Sequence, residues 1–291
     1  MQKVKGRPFH FVSRLRAWDF SSMDVLCGRL LDQCYEGVEQ WAYRNLWPMV
    51  EQAVEREVMG EPIGVVLERV GGPLRFPEDR NILIEIDAWV IKRRIFVFEC
   101  ILYRCDRKRI EPFGHLFIPM MQCRIEDAET RAAVPVPLSE TFSGRLTELE
   151  GEAGRIIHRY RTEIRRLEPA TWSCPVVYER VVTPELCEFT DMAAFMNHVG
   201  QIASEGRELV LQHLRSVDGA GYDALLRSLA CPMKLLIVEI KNPLWLREPM
   251  AIQVRSCVSG DSFHFDFEIG SVRPKRLCER MLVSYGPALP R

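Results

Sequence analysis

An internal repeat constrains this chain more than any other feature. Asp19-Phe20-Ser21-Ser22-Met23 resembles Glu188-Phe189-Thr190-Asp191-Met192, a shift of 169 residues. At the same shift Glu36-Gly37 falls on Glu205-Gly206. Glu61-Pro62-Ile63 meets Cys231-Pro232-Met233, Pro73-Leu74 meets Pro243-Leu244 and Glu78 meets Glu248, all at a shift of 170. Phe96-Val97-Phe98-Glu99 then meets Phe263-His264-Phe265-Asp266 at 167. Each match is weak alone, but together they keep one order and nearly one register, which predicts a duplicated structural unit.

The two halves read alike. Residues 9–18 alternate as a strand does, and residues 27–44 place Leu30, Leu31, Cys34, Val38 and Trp41 at helical spacing. Ile63–Val70, Ile82–Val90, Ile95–Tyr103 and His115–Cys123 read as successive strands, with Asp106-Arg107-Lys108 as a hairpin turn. In the second half Asn197–Leu214 reads as the long helix. Leu235–Ile240, Ala251–Cys257, Ser262–Ile269 and Leu277–Ser284 read as its strands. A helix this apolar must bury its face against a sheet. Residues 144–167 are charged with sparse apolar positions and read as a linker helix ended by Pro169. The expected organisation is a first domain over 1–138, a helical linker over 139–174 and a second domain over 175–291.

This pattern resembles the hotdog fold, and within it the 4-hydroxybenzoyl-CoA thioesterase-like and acyl thioesterase group. Arg14-Leu-Arg-Ala-Trp-Asp19 is similar to the family's opening strand and its acidic end. Leu31-Asp-Gln-Cys-Tyr35-Glu36 is similar to its helix segment, and Gly60-Glu-Pro-Ile63 opens a strand as the family often does. Lys92-Arg93-Arg94 stands where the family has a basic cluster before a strand. The likeness covers about residues 8–137, with a weaker copy over about 175–285. It implies an α+β double hotdog, with two long helices each wrapped by a curved antiparallel sheet. The chain departs from the family at the helix entry. Ser21 and Thr190 stand at the family's catalytic aspartate, Val25 and Ala194 at its histidine, and only Asn197 keeps the final asparagine, Gly28 replacing it in the first half.

Hydrolysis of an acyl thioester needs a helix start that offers N–H groups to the thioester oxygen, and a carboxylate acting as nucleophile or base. The candidate catalytic residues are therefore Asp24 and Glu36 in the first half, and Asp191, Asn197, His198 and Glu205 in the second. A helix-start histidine can titrate near neutral pH, although capping or surface roles serve such residues equally. Asp24 would serve equally as an N-cap or first-turn acid, and Glu36 and Glu205 as structural groups. His115 and His264 read as strand residues. Lys92, Arg93 and Arg94 are candidates to meet the phosphates of CoA or phosphopantetheine. Arg155, Arg159, Arg161, Arg165 and Arg166 could meet an acidic acyl carrier protein or form a solvated helix face.

Composition bounds the function class. A formal net charge of -1 with 27% charged residues argues against a nucleic-acid binder. No apolar run reaches the length of a membrane span. The 10 scattered cysteines form no CxxC pair or zinc spacing, which predicts reduced thiols, no metal and a cytosolic setting. The expected activity is an acyl-CoA or acyl-carrier-protein thioesterase, in polyketide or other secondary-metabolite biosynthesis. It would use no cofactor beyond the CoA or phosphopantetheine of the substrate, with a homodimer of double hotdogs as one assembly. The rivals are a dehydratase or cyclase on a polyketide-like chain, and a non-catalytic acyl-binding module. A divergent helix entry predicts one competent pocket, at the interface of the halves and including Asn197 or His198.

Overall fold

The computed structural model describes residues 8–21, 24–55, 58–106, 109–127, 132–144, 146–148, 156–168, 170–187 and 195–287. The first half supplies β1 (Phe9–Arg14), α1 (Cys27–Glu55), β2 (Val58–Pro62), β3 (Gly64–Arg69), β4 (Asn81–Ile91), β5 (Ile95–Asp106), β6 (Arg109–Asp127) and β7 (Ala132–Pro135). A two-residue strand, β8 (Thr147–Glu148), and a short helix, α2 (Arg159–Leu167), follow. The second half supplies β9 (Val176–Val181), α3 (Phe195–Val217), α4 (Gly219–Leu226), β10 (Met233–Ile240), β11 (Pro249–Ser259), β12 (Ser262–Ser271) and β13 (Arg276–Tyr285).

These strands form one sheet, ordered β1-β4-β5-β6-β3-β10-β13-β12-β11-β9 along its main path. The order of the second half mirrors that of the first, as a duplication requires. The seam is the antiparallel pairing of β3 with β10, where Val66 lies opposite Ile237, and a hydrogen bond from the Ile240 amide to the Ile63 carbonyl extends it. Alternation assigns the faces. On β4, Ile82, Ile84, Ile86, Ala88 and Val90 are buried while the residues between them are half-exposed. On β12, Phe263, Phe265, Phe267 and Ile269 point the same way. Each of these valine, isoleucine and phenylalanine side chains contributes roughly 1.5–3 kcal/mol by leaving water.

Both long helices lie on that inner face. Leu30, Leu31, Cys34, Val38 and Trp41 of α1 share one core with Val199, Ile202, Ala203, Val210 and Leu211 of α3. Gly37 and Gly206, paired by the repeat, mark a close approach of each helix to the sheet. A Cβ on Gly37 would stand 2.7 Å from Ile86, and one on Gly206 would collide with the Phe267 ring. The register read from sequence is therefore also the register of packing.

Several boundaries differ from the sequence reading. Helix α1 continues to Glu55, and β1 ends at Arg14, where a 3-10 turn over Ala17–Asp19 takes over. Strands β2, β7 and β8 and helix α4 are short, and their periodicity is too brief to read. The 144–167 linker is not one helix: β8 pairs in parallel with β4, and α2 begins only at Arg159. Helix α2 lies on the outer face, where Tyr160 and Leu167 pack with Val66, Ile237 and Leu282 across the seam. The Tyr160 hydroxyl donates to Asp266 at 2.5 Å, and Arg159 donates to Glu68 at 2.6 Å, so the helix is tied to both halves. No helix among the described residues is long and apolar enough to cross a membrane.

Candidate functional site

The two long helices cross at their starts. Gly200, in the second turn of α3, lies against Gly28 of α1, and a Cβ on Gly200 would come 2.7 Å from the Gly28 nitrogen and 3.0 Å from its Cα. Only small residues allow this approach, which brings both helix starts to the middle of the inner face. The orphan N–H groups of a helix start and its partial positive charge favour a polar oxygen there.

One anchor sets the start of α1. Asp24 is buried and accepts from both Arg69 terminal nitrogens, at 2.6 and 3.0 Å. It also accepts from the Leu74 and Val25 amides, each at 2.8 Å. Four donors hold this carboxylate, three of them on Oδ1, so the geometry gives Asp24 the work of fixing the loop before α1 onto the end of β3. Ser21 closes the same turn, its hydroxyl donating to the Asp24 carbonyl at 2.9 Å and accepting from the Asp24 amide at 3.0 Å. Lys234, close by on β10, donates to the Gly71 carbonyl at 2.7 Å. Burial, and then the positive charge of Arg69, hold its pKa below the ordinary lysine range.

The first residues of α1 meet the second half through Cys27. Burial pushes the Cys27 thiol up to about 12, so it stays a thiol at neutral pH and is a poor nucleophile. Tyr285, at the end of β13, lies within electrostatic reach of Cys27 and beneath Arg207 of α3, whose guanidinium carbon stands 4.6 Å from the ring centroid. Burial first, and Cys27 further, push the Tyr285 hydroxyl up to about 12, against the lowering effect of Arg207. It remains a hydrogen-bond donor.

The other sequence candidates scatter. Asn197 and His198 fall in the first turn of α3, the helix that crosses α1; their side chains, with Asp191, Thr190 and Ala194, lie outside the described residues, as does Arg155. Glu36 is exposed on α1 and does not lie on the helix face buried against the sheet. Glu205 is half-buried and paired, accepting from Arg180 at 3.0 Å and Gln201 at 3.0 Å. The repeat places Glu36 and Glu205 alike, but the structure gives them different surroundings.

Lys92, Arg93 and Arg94 form the exposed β4–β5 turn. Lys92 and Arg93 hold left-handed backbone, φ 49 and 54, where the matching β11–β12 turn uses Gly260, φ 59. Through paired residues, Arg69 lies level with Gly114, Leu102 and Ile84. The turn therefore stands roughly 25 Å along the sheet from the Asp24–Arg69 anchor, at about 3.3 Å per residue. Arg161, Arg165 and Arg166 are exposed on α2, and Arg166 pairs with Glu163 at 2.7 Å.

Two histidines sit on the outer face. The His115 ring nitrogen lies 2.6 Å from Glu99, whose other oxygen accepts from Trp89 at 2.6 Å. The hydrogen bond from His115 holds the Glu99 carboxyl below the usual range. His264 is buried and bonded to Ser284 at 2.8 Å; burial, then the nearby Arg166, lower its pKa to about 4. The sequence reading missed Arg69, Tyr285 and Arg207. Arg207 left a signal, since it interrupts the apolar stripe of Ala203, Val210 and Leu214 on α3.

No protein-family model matches the chain, and no curated protein matches it. Solved structures do. A chain described as an oleoyl thioesterase from Lactobacillus plantarum superposes with a TM-score of 0.69 at 10% identity, over 99% of this chain and 99% of that one. An acyl-ACP thioesterase from Bacteroides thetaiotaomicron gives 0.62 at 8% identity over 95% and 97%. The 12:0-ACP thioesterase from Umbellularia californica gives 0.61 at 10% identity over 98% and 99%. The chain has the hotdog fold that its sequence resembles, built over its whole length as in these proteins.

Proposed function

We propose that this chain hydrolyses acyl thioesters of CoA or of an acyl carrier protein, working as a double hotdog whose halves follow the sequence boundaries 1–138 and 175–291. One observation carries the reading. The whole two-helix, one-sheet architecture is shared end to end with a chain described as an oleoyl thioesterase, over 99% of both. The helix crossing at Gly28 and Gly200 offers two places for the thioester, related by the repeat. One is the start of α3, with Asn197 and His198, and with Asp191 just before it. The other is the start of α1, beside Tyr285 and Arg207. In either, helix-start N–H groups hold the carbonyl oxygen as it gains charge, while a neighbouring polar group activates water. Asp24 positions the start of α1 through Arg69. The basic 92–94 turn and the arginines of α2 are surface sites for the phosphates or acids of the carrier.

A second reading follows from the Ser21 geometry. The position of the family's catalytic aspartate is taken here by a hydroxyl that closes a turn onto Asp24. A cavity without that carboxylate supports dehydration or cyclisation of a polyketide-like acyl chain. Incubation with a panel of acyl-CoAs separates the two, with free thiol and substrate mass followed together. Thiol release with a free acid is the expected result. Loss of one water without thiol release, or an isobaric product, would replace the hydrolase reading with the second one.

A further inference from the structure

We infer that Arg207 and Tyr285 form an anion-binding subsite at the start of α1, and that it takes the carboxylate of a free fatty acid, the product of thioester hydrolysis. The ligand class rests on the acyl reading above; the subsite rests on the following geometry. Arg207 projects from the crossing helix α3, with its guanidinium carbon 4.6 Å from the centroid of the buried Tyr285 ring. Its Nε has neither solvent nor a hydrogen-bond partner. Arg69 and Arg159 also leave their Nε unpaired, but their charge is matched through the terminal nitrogens, Arg69 by Asp24 at 2.6 Å and Arg159 by Glu68 at 2.6 Å, as Arg276 is by Glu248 at 2.9 Å. Among the described residues no carboxylate lies within ion-pair distance of Arg207. A half-buried cation without a partner costs free energy unless something supplies the charge.

The repeat shows that the fold does not require this pair. Gly37 and Gly206 fix the helix register, so Arg207 corresponds to Val38. The pairings of Phe96 with Met120 and of Phe263 with Tyr285 fix the strand register, so Tyr285 corresponds to Met120. Val38 and Met120 are ordinary buried core residues. The same packing problem is solved with two apolar side chains in one half and a guanidinium over a phenol in the other.

The surroundings select the ligand. A guanidinium offers a planar fork to a carboxylate, and a tyrosine hydroxyl adds a further donor. Phe265 packs edge-on to Tyr285 at 5.8 Å, and Phe263 lies opposite Tyr285 on the next strand, which gives an apolar wall for a chain. One cation matches one carboxylate, whereas a phosphate dianion would leave a charge unmatched in the interior.

The test is calorimetric titration of the full-length protein with decanoate and with 1-decanol, chains of equal length that differ in charge. The wild type is expected to bind decanoate at least tenfold more tightly. Arg207→Leu should erase that preference while holding or raising the melting temperature, since it removes an unmatched charge. If Arg207→Leu does not fold, Arg207→Gln, which keeps much of the stem over Tyr285, gives the same comparison. No preference in the wild type, or an undiminished preference in a folded Arg207 variant, would overturn the inference, as would a preference lost on His198→Ala but kept in Arg207→Leu. A carboxylate preference that depends on Arg207, in a protein that hydrolyses no acyl-CoA, would keep the subsite and remove the hydrolase reading.

Discussion

Replacing Asp24 by asparagine breaks the ion pair on which the start of α1 depends. The side chains of Arg69 and Asp24 are only 4% and 11% exposed, and they meet through two hydrogen bonds of 2.6 and 3.0 Å. The variant leaves Arg69 charged and unmatched in the interior. Breaking a buried pair from one side costs about 3–5 kcal/mol, against about 1 kcal/mol for an exposed pair. In a chain of this size that corresponds to a fall in melting temperature of roughly 6–10 °C. Arg69→Met should cost a similar amount by stranding the carboxylate. The double variant removes both charges and should lose less than the sum of the single losses, because neither residue is then left unmatched. Urea unfolding of the four proteins closes the cycle. An Asp24→Asn loss below about 1 kcal/mol, the scale of an exposed pair, or a double variant that loses the full sum, would refute the role of Asp24 and Arg69 as a buried, mutually dependent pair. Hydrolysis measured per folded molecule should persist in Asp24→Asn, as befits an anchor rather than a nucleophile.

Three further outcomes are expected. Gly200→Ala must push α3 off Gly28, and such overpacking costs about 1–3 kcal/mol, read as a lower urea midpoint together with lost acyl binding. The folded His264 titrates at about 4 against about 6.5 for an unfolded histidine, so between these values only the unfolded chain takes up its proton. Stability should therefore fall as pH drops through that window, by up to about 1.4 kcal/mol per unit, and His264→Gln should flatten the profile measured by denaturant titration from pH 4 to 7. Glu36→Gln should change hydrolysis less than twofold, since Glu36 is exposed on α1 away from the buried stripe.

The fold was legible because burial leaves a periodic trace. The apolar stripe of Leu30, Leu31, Cys34, Val38 and Trp41, and the Phe263-His264-Phe265-Asp266 alternation, each state which face meets the core. Duplication then states it twice. The site was less legible because a partner in space leaves no spacing in sequence. Nothing near Asp24 announces Arg69, which is 45 residues away along the chain. Glu36 and Glu205 look equivalent in the repeat and are not, because Arg180 reaches only Glu205. Arg207 was visible as a charge inside an apolar stripe, but its meaning depended on Tyr285 from the far end of the chain. The linker failed as a helix for a local reason. Its charged, sparsely apolar pattern suits many conformations, and pairing with β4 took Thr147 and Glu148 into the sheet.

A crystal structure with a non-hydrolysable acyl-CoA thioether measures directly where an acyl thioester sits. The predicted result places the thioether sulfur at the crossing of α1 and α3, near Gly28 and Gly200, with the acyl chain on the inner face of the sheet. The contradicting result places the acyl group on the outer face, for example in the polar pocket lined by Gln253, Arg255, Asp266 and Glu268, with the helix crossing unchanged and closed.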